Sequence, residues 1–181
     1  MKRDSSPIVL IVGESGTGKS TLCRYLEAMH GLKEVKSYTT RPKRYKKENT
    51  HIFVDDVEFD ELTPMVAYTV YNGYKYGATY NQVEENDLYV IDMDGINYFN
   101  KHYKGDKDCV VVYITAPIDE RVNRMRLRGD NDEEILDRLV YDSINFAGVD
   151  KVANVIYTME DEESTIKIGD SIYDKFFKEG E

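Results

Sequence analysis

Cysteine is nearly missing from this chain of 181 residues. Cys23 and Cys109 are the only two, far apart and without the paired spacing of metal ligands. That excludes a disulfide framework and a cysteine-rich zinc site, makes packing their expected role, and makes a reducing cytoplasm the expected setting. Long apolar runs are lacking as well. The longest near the N-terminus, Ile8 to Val12, is far short of the ~20 residues that span a membrane, and it leads into glycine rather than a small-residue cleavage site. Neither membrane association nor an export signal is expected. Positive charge is in deficit: 24 Lys and Arg face 34 Asp and Glu, a net charge of −10. Phosphate backbones are held by clustered positive charge, so a general nucleic-acid surface is disfavoured. Proline is scarce, at 4 residues, and repeats and low-complexity segments are absent. What remains is 41% hydrophobic and 32% charged, the balance of a soluble domain with a real core. The length allows one domain with insertions.

The few cations are concentrated. Arg41, Lys43, Arg44, Lys46 and Lys47 fall within seven residues, and Arg121, Arg124, Arg126 and Arg128 within eight. An acidic body with two basic spots points to a small anionic ligand rather than a polymer. Nothing in the sequence calls for an obligatory protein partner.

Periodicity supplies the frame. Ile8 to Val12, Leu88 to Asp92 and Cys109 to Thr115 are short continuous apolar runs, as expected of strands buried on both faces. Helical patterns follow each: Ser20 to Met29 with Gly31 as its stop, Ile96 to Tyr103, and Ile118 to Arg128. Strand and helix in alternation predict an α/β fold with a right-handed parallel sheet. A helix over Asp132 to Ala147 is expected to bury Ile135, Leu136, Leu139, Val140 and Ala147, with Arg138 on the opposite side facing solvent or a ligand. Asn154 to Tyr157 reads as a further strand. Ser164 to Phe177 reads as a final helix, with Ile166, Ile172, Tyr173, Phe176 and Phe177 on one face.

Between Tyr38 and Tyr80 the rhythm breaks. Tyr68, Val70 and Tyr71, then Asn72-Gly73, then Tyr74 and Tyr76 predict an antiparallel hairpin, because Asn-Gly suits the tightest hairpin turn. Asp55 with Glu58 predicts the capped start of a short helix that reaches Leu62 before Pro64. The expected arrangement is a core of residues 1–37 and 81–181, with a small antiparallel-sheet insertion at 38–80 covering its site.

Gly13-Glu14-Ser15-Gly16-Thr17-Gly18-Lys19-Ser20 fits G-x-x-x-x-G-K-[ST] between a buried strand and a helix. In that setting, small residues let backbone N–H groups turn toward phosphate oxygens at a helix N-terminus. Lys19 bridges the terminal phosphates, and the Ser20 hydroxyl can bind a magnesium ion. Gly13, Ser15, Gly16, Thr17, Gly18, Lys19, Ser20 and Thr21 are therefore the expected ATP-binding residues, with ATP and Mg2+ as the expected cofactors.

The acceptor is indicated further along. Ser37-Tyr38-Thr39-Thr40-Arg41-Pro42-Lys43-Arg44 resembles the S-x-T-T-R-x-x-R signature of the guanylate kinase family. In order follow Gly73 to Gly77, similar to the family's G-x-x-Y-G, Ile91 to Gly95, similar to its I-D-x-x-G, and an Arg-rich segment ending Arg128-Gly129 before Arg138. The resemblance covers nearly the whole chain. It implies ATP-dependent phosphorylation of a nucleoside monophosphate, GMP or dGMP by analogy. Arg41 and Arg44 would then grip the acceptor phosphate with Ser37 and Tyr76. Arg124, Arg128 and Arg138 would act on the transferring phosphoryl group from a lid at about 124–138, together with Lys19. Asp92 would order the magnesium shell or the acceptor.

Three positions depart from the family, all on the acceptor side. Ala67 stands where a glutamate reads guanine, and Ala78, followed by Thr79, stands where a serine or threonine does. His51 stands in for a tyrosine that helps hold the acceptor phosphate. Glu61, Thr69 and Asn81 are the nearby polar residues that would replace the missing readers. Losing a charge-assisted and a neutral hydrogen bond removes on the order of 2 to 4 kcal/mol of base recognition. Two alternatives therefore stand beside the nucleotide kinase: a ribose 1,5-bisphosphate kinase of the same family, and a non-catalytic binding module.

Overall fold

Five consecutive aliphatic residues with no polar alternation need cover on both faces, and the first strand, β1 (Ile8–Val12), has it, with every residue fully buried. The computed structural model describes residues 6–178; the outermost ends of the expected core, 1–5 and 179–181, lie outside the described residues. After β1 come α1 (Lys19–His30), β2 (Tyr38–Thr39), β3 (Ile52–Phe53), α2 (Asp56–Glu61), β4 (Met65–Tyr71), β5 (Tyr74–Thr79) and α3 (Tyr80–Glu84). The second half runs β6 (Leu88–Val90), α4 (Met93–His102), β7 (Cys109–Thr115), α5 (Ile118–Leu127), α6 (Asp132–Asn145), β8 (Val155–Thr158) and α7 (Glu162–Phe176).

The main sheet has the order β6-β1-β7-β8 and is parallel throughout. Because side chains alternate across a strand, β1 feeds two cores. Ile8, Leu10 and Val12 pack with Ile96 and Phe99 of α4, while Val9 and Ile11 pack with Leu22 and Leu26 of α1 and Ile168 and Ile172 of α7. The first core continues into the second sheet, taking in Val66, Ala67 and Ala78.

That second sheet has the order β3-β2-β5-β4, and all of its strands lie between residues 38 and 80. It differs from the expected antiparallel sheet in one pairing: β2 and β3 run parallel, because the whole 41–51 segment crosses between them. The β4–β5 hairpin turns at Asn72 (φ 50°) and Gly73 (φ 78°), two left-handed residues that match strand twist. The capping box of Asp55 and Glu58 starts α2 as the sequence predicts.

Three other expectations need correction. The helix α6 fully buries only Ile135 of its expected aliphatic stripe: Leu136 and Val140 are 61% and 53% exposed, and Ala147 lies beyond the helix end. Its inward face is instead Ile135, Arg138, Tyr141 and Asp142, because α6 flanks a polar cleft rather than the core. On α7 the buried residues are Thr165, Ile168, Gly169 and Ile172, and Ile166 faces outward. Cys23 is buried, but Cys109, at the start of its strand, is exposed. Boundaries move where side chains cap helices. Asp92 accepts the N–H of Gly95, so α4 opens at Met93, before the expected Ile96.

Candidate active site

The phosphate loop joins β1 to α1, and its backbone explains its composition. Gly16 has φ 79°, and a Cβ there would come within 2.6 Å of the Arg121 carbonyl oxygen, so only glycine fits. Gly18, also left-handed, is the N-cap of α1, with no side chain satisfying the helix's first N–H groups and no acidic residue in its first turn. Those donors and the positive end of the helix dipole are open to an anion. Lys19 folds over the loop, donating to the carbonyls of Gly13 (2.6 Å) and Glu14 (2.8 Å). Burial lowers its pKa to about 8, with Asp142 and Glu14 acting in the opposite sense.

Two buried groups brace this loop. Arg121 of α5 donates to the Ser15 carbonyl (2.9 Å) and to Asp142 of α6 (2.7 Å), and the same carboxylate accepts the Ser15 N–H at 2.8 Å. Glu14 accepts the Tyr113 hydroxyl at 2.7 Å. The sequence reading passed over Arg121 as one of an arginine run and missed Asp142 altogether. The available signal was the polar stripe Arg138, Tyr141, Asp142 and Asn145, spaced i, i+3, i+4, i+7.

Across the cleft, the second sheet and the 41–51 segment present their own cations. Arg41 holds Glu48 through two nitrogens (2.7 and 3.3 Å), and Glu48 also accepts the Arg44 N–H (2.6 Å) and the Thr50 hydroxyl (3.1 Å). The Arg41 hydrogen bond holds the Glu48 carboxyl down at about 2. This buried carboxylate shapes the 41–50 segment; a lone acid following five cations was the sequence clue to it. His51 sets its Nδ1 3.0 Å from the Ser37 hydroxyl and stands edge-on to Tyr76. Burial, then the Arg41 charge, lowers its pKa to about 4.

One cavity joins the two sides. Gly13, Ser15 and Lys19 line its loop end, Ser37, Arg41, Arg44, His51 and Tyr76 its insertion end, and Asp92 and Arg138 the wall between. The Arg138 Nε is buried 3.3 Å from Asp130 but is not aligned to donate to it, leaving a free donor beside the cavity. Arg124 and Arg128 are not brought into this cavity. Arg124 reaches the carbonyls of Gly16 and Thr17 (both 3.4 Å), and Arg128 pairs with Asp130. Thr17 is fully buried, bonding Glu14 within the loop, and Ser20 and Thr21 are exposed at the start of α1. Ala67 and Ala78, directly opposite each other in register, are buried in the core.

Comparison with known proteins gives the family to which the chain is similar. A family model described as an AAA domain matches residues 9–145. The chain is similar to a guanylate kinase of Nostoc sp., 31% identical over 147 residues covering 74% of this chain and 72% of the relative. A guanylate kinase of Schizosaccharomyces pombe is 32% identical over 144 residues, covering 72% and 71%. One from Wolinella succinogenes is 29% identical over 148 residues, covering 76% and 69%. Among solved structures, the fold is similar to the crystal structure of guanylate kinase from Anaplasma phagocytophilum. The TM-score is 0.64 at 23% identity, covering 97% of this chain and 89% of that one.

Proposed function

The chain belongs to the guanylate kinase family, and from that premise we propose that it transfers the terminal phosphoryl group of ATP to the phosphate of GMP or dGMP. The observation that carries this reading is that a phosphate-loop lysine and a pair of insertion arginines share one cavity, so two phosphorylated substrates meet between them.

Phosphoryl transfer passes through a loose, highly charged transition state, and the protein contributes mainly position and charge. The uncapped N-terminus of α1 and Lys19 hold the donor phosphates. Arg41 and Arg44, kept in place by Glu48, grip the acceptor phosphate with Ser37, His51 and Tyr76. Arg138, with its unpaired donor, meets the charge on the group in transit. The exposed Ser20 hydroxyl next to Lys19 suits a magnesium ion carried on the nucleotide. When bound, that ion neutralises phosphate charge. The contact of Asp92 with Thr69 of the insertion, at 3.1 Å, favours its acceptor role over a place in the metal shell. Arg124 supports the loop through its carbonyls, and Arg128 with Asp130 sits at the α5–α6 turn, within the 124–138 lid that closes over the insertion at 38–80. Closure excludes water, which would otherwise compete as acceptor. We assign the activity to the cytoplasm, where ATP is supplied. Among the described residues, no helix is long and apolar enough to cross a membrane.

A coupled ATP-consumption assay over GMP, dGMP, AMP, CMP, UMP, dTMP and ribose 1,5-bisphosphate, with Lys19→Ala as blank, tests the reading. GMP or dGMP is expected to lead the series. Preference for another acceptor, or no turnover above the blank, overturns it.

A further inference from the structure

One part of the cavity lining is built mostly of tyrosine: Tyr68 and Tyr71 of β4, Tyr89 of β6 and Tyr141 of α6. These rings supply flat faces on which a base can lie. Set among them is one polar pair. The Thr69 hydroxyl donates to Asp92 Oδ2 at 3.1 Å, and Asp92 Oδ1 accepts the Gly95 N–H at 2.7 Å. Both side chains line the cavity. Ala67 and Ala78, the neighbouring positions on β4 and β5, are buried away from it and bring no polar atom.

We propose that Thr69 and Asp92 together read the acceptor base, as a two-residue edge made only of hydrogen-bond acceptors. The donor count leads there. Thr69 spends its single proton on Asp92, so its oxygen offers only lone pairs to a ligand. Each carboxylate oxygen, already taking one N–H or O–H, has room for a second. A base that fits such an edge must bring adjacent donors. Guanine does, with its ring N1–H beside its exocyclic amine. Adenine and cytosine put a bare ring nitrogen beside their amine, and uracil and thymine flank a single N–H with carbonyls. Those bases would leave the carboxylate facing lone pairs, and a site built for hydrogen bonds rejects the partner that cannot make them. Thr69 has two parts here: it accepts from the base, and it fixes the carboxylate that does the same. The inference rests on the nucleotide-kinase reading above and names the residues that give that site its base preference.

The test compares GMP with IMP, which keeps the ring N–H and lacks the amine, in wild type, Thr69→Val and Thr69→Ser. The wild type is expected to favour GMP. Thr69→Val, equal in shape but without the hydroxyl, is expected to lower kcat/KM for GMP roughly 10- to 100-fold, mostly through KM. Its KM for ATP is expected to stay unchanged and its GMP-to-IMP preference to shrink. Thr69→Ser is expected to restore most of the loss. A Thr69→Val enzyme with the wild-type GMP-to-IMP ratio overturns the assignment while leaving the kinase reading intact. So does a Thr69→Ser enzyme as poor as Thr69→Val. A wild type that prefers AMP or CMP to GMP overturns both.

Discussion

The two ends of the cleft, which we propose hold the donor and the acceptor phosphates, are built by opposite constructions. The donor side is a contiguous loop whose backbone makes the site: glycine conformations, an open helix end, and one lysine laid over two carbonyls. The acceptor side is made of side chains from separate segments. Arg41 and Arg44, His51, Tyr76 and Asp92 come from different strands, loops and a helix start, and a single buried carboxylate, Glu48, keeps the arginines in order. A backbone site tolerates few sequences, and here its remote partners, Arg121 and Asp142, hold the loop in shape. A side-chain site can change its ligand one residue at a time, and of the departures at positions 51, 67 and 78, His51 lines the cavity while Ala67 and Ala78 lie in the core beside it.

The contrast can be broken at its strongest point first. Lys19→Ala is expected to reduce kcat at least about a thousandfold, since the charge laid over the carbonyls of Gly13 and Glu14 is the one we propose to hold the donor phosphates. A variant that keeps a tenth of wild-type turnover would mean that the backbone alone carries the donor side. Next comes the brace. Asp142→Ala leaves Arg121 buried without its closest partner and the Ser15 N–H unbonded, and should lower stability by about 3 kcal/mol in denaturant titration. A shift below 0.5 kcal/mol would show that the loop holds itself.

On the acceptor side the effects are smaller and more separable. Arg41→Ala is expected to raise the acceptor KM roughly thirtyfold while leaving the ATP KM within about twofold. Steady-state kinetics with each substrate varied would decide it, and an unchanged acceptor KM would remove Arg41 from the grip. The mildest expectation concerns pH. Folding holds the His51 pKa near 4 against an ordinary 6.5, so below pH 6.5 the unfolded chain binds the proton and the folded chain does not. Stability from this group is therefore complete above pH 6.5 and lost as pH falls toward 4. The Glu48 carboxyl, held near 2 from an ordinary 4.5, adds a further loss below pH 4.5. Melting temperatures measured from pH 7.5 to 4 should decline less steeply in His51→Gln. Parallel curves would show that the imidazole is not protected from protons.

Much of the frame was legible in the sequence because it is local. Apolar runs without alternation required two-sided burial, and the strand-loop-helix setting gave the glycine motif its meaning. Asn72-Gly73 and Asp55 with Glu58 formed the turn and cap that their chemistry dictates. The misses have one physical cause. On α6, aliphatic and polar stripes have the same helical period, so periodicity alone could not say which faced inward; the cleft took the polar one. Asp142 and Glu48 act through partners on other segments, and burial turns an ordinary acid into an organising one. The parallel pairing of β2 with β3 depends on a crossing segment with no apolar pattern of its own.

The apolar cluster beneath β1 does not stop at the edge of the main sheet, since Val66, Ala67 and Ala78 belong to it. A hinge needs a seam where few buried contacts cross, and among the described residues buried contacts run from these inner strands into the core. On heating, the hairpin and the parallel sheet should therefore come apart in one transition rather than as two bodies. Mechanically, the cleft resembles a vise in which the jaw carrying the inner strands is welded to the core by buried contacts.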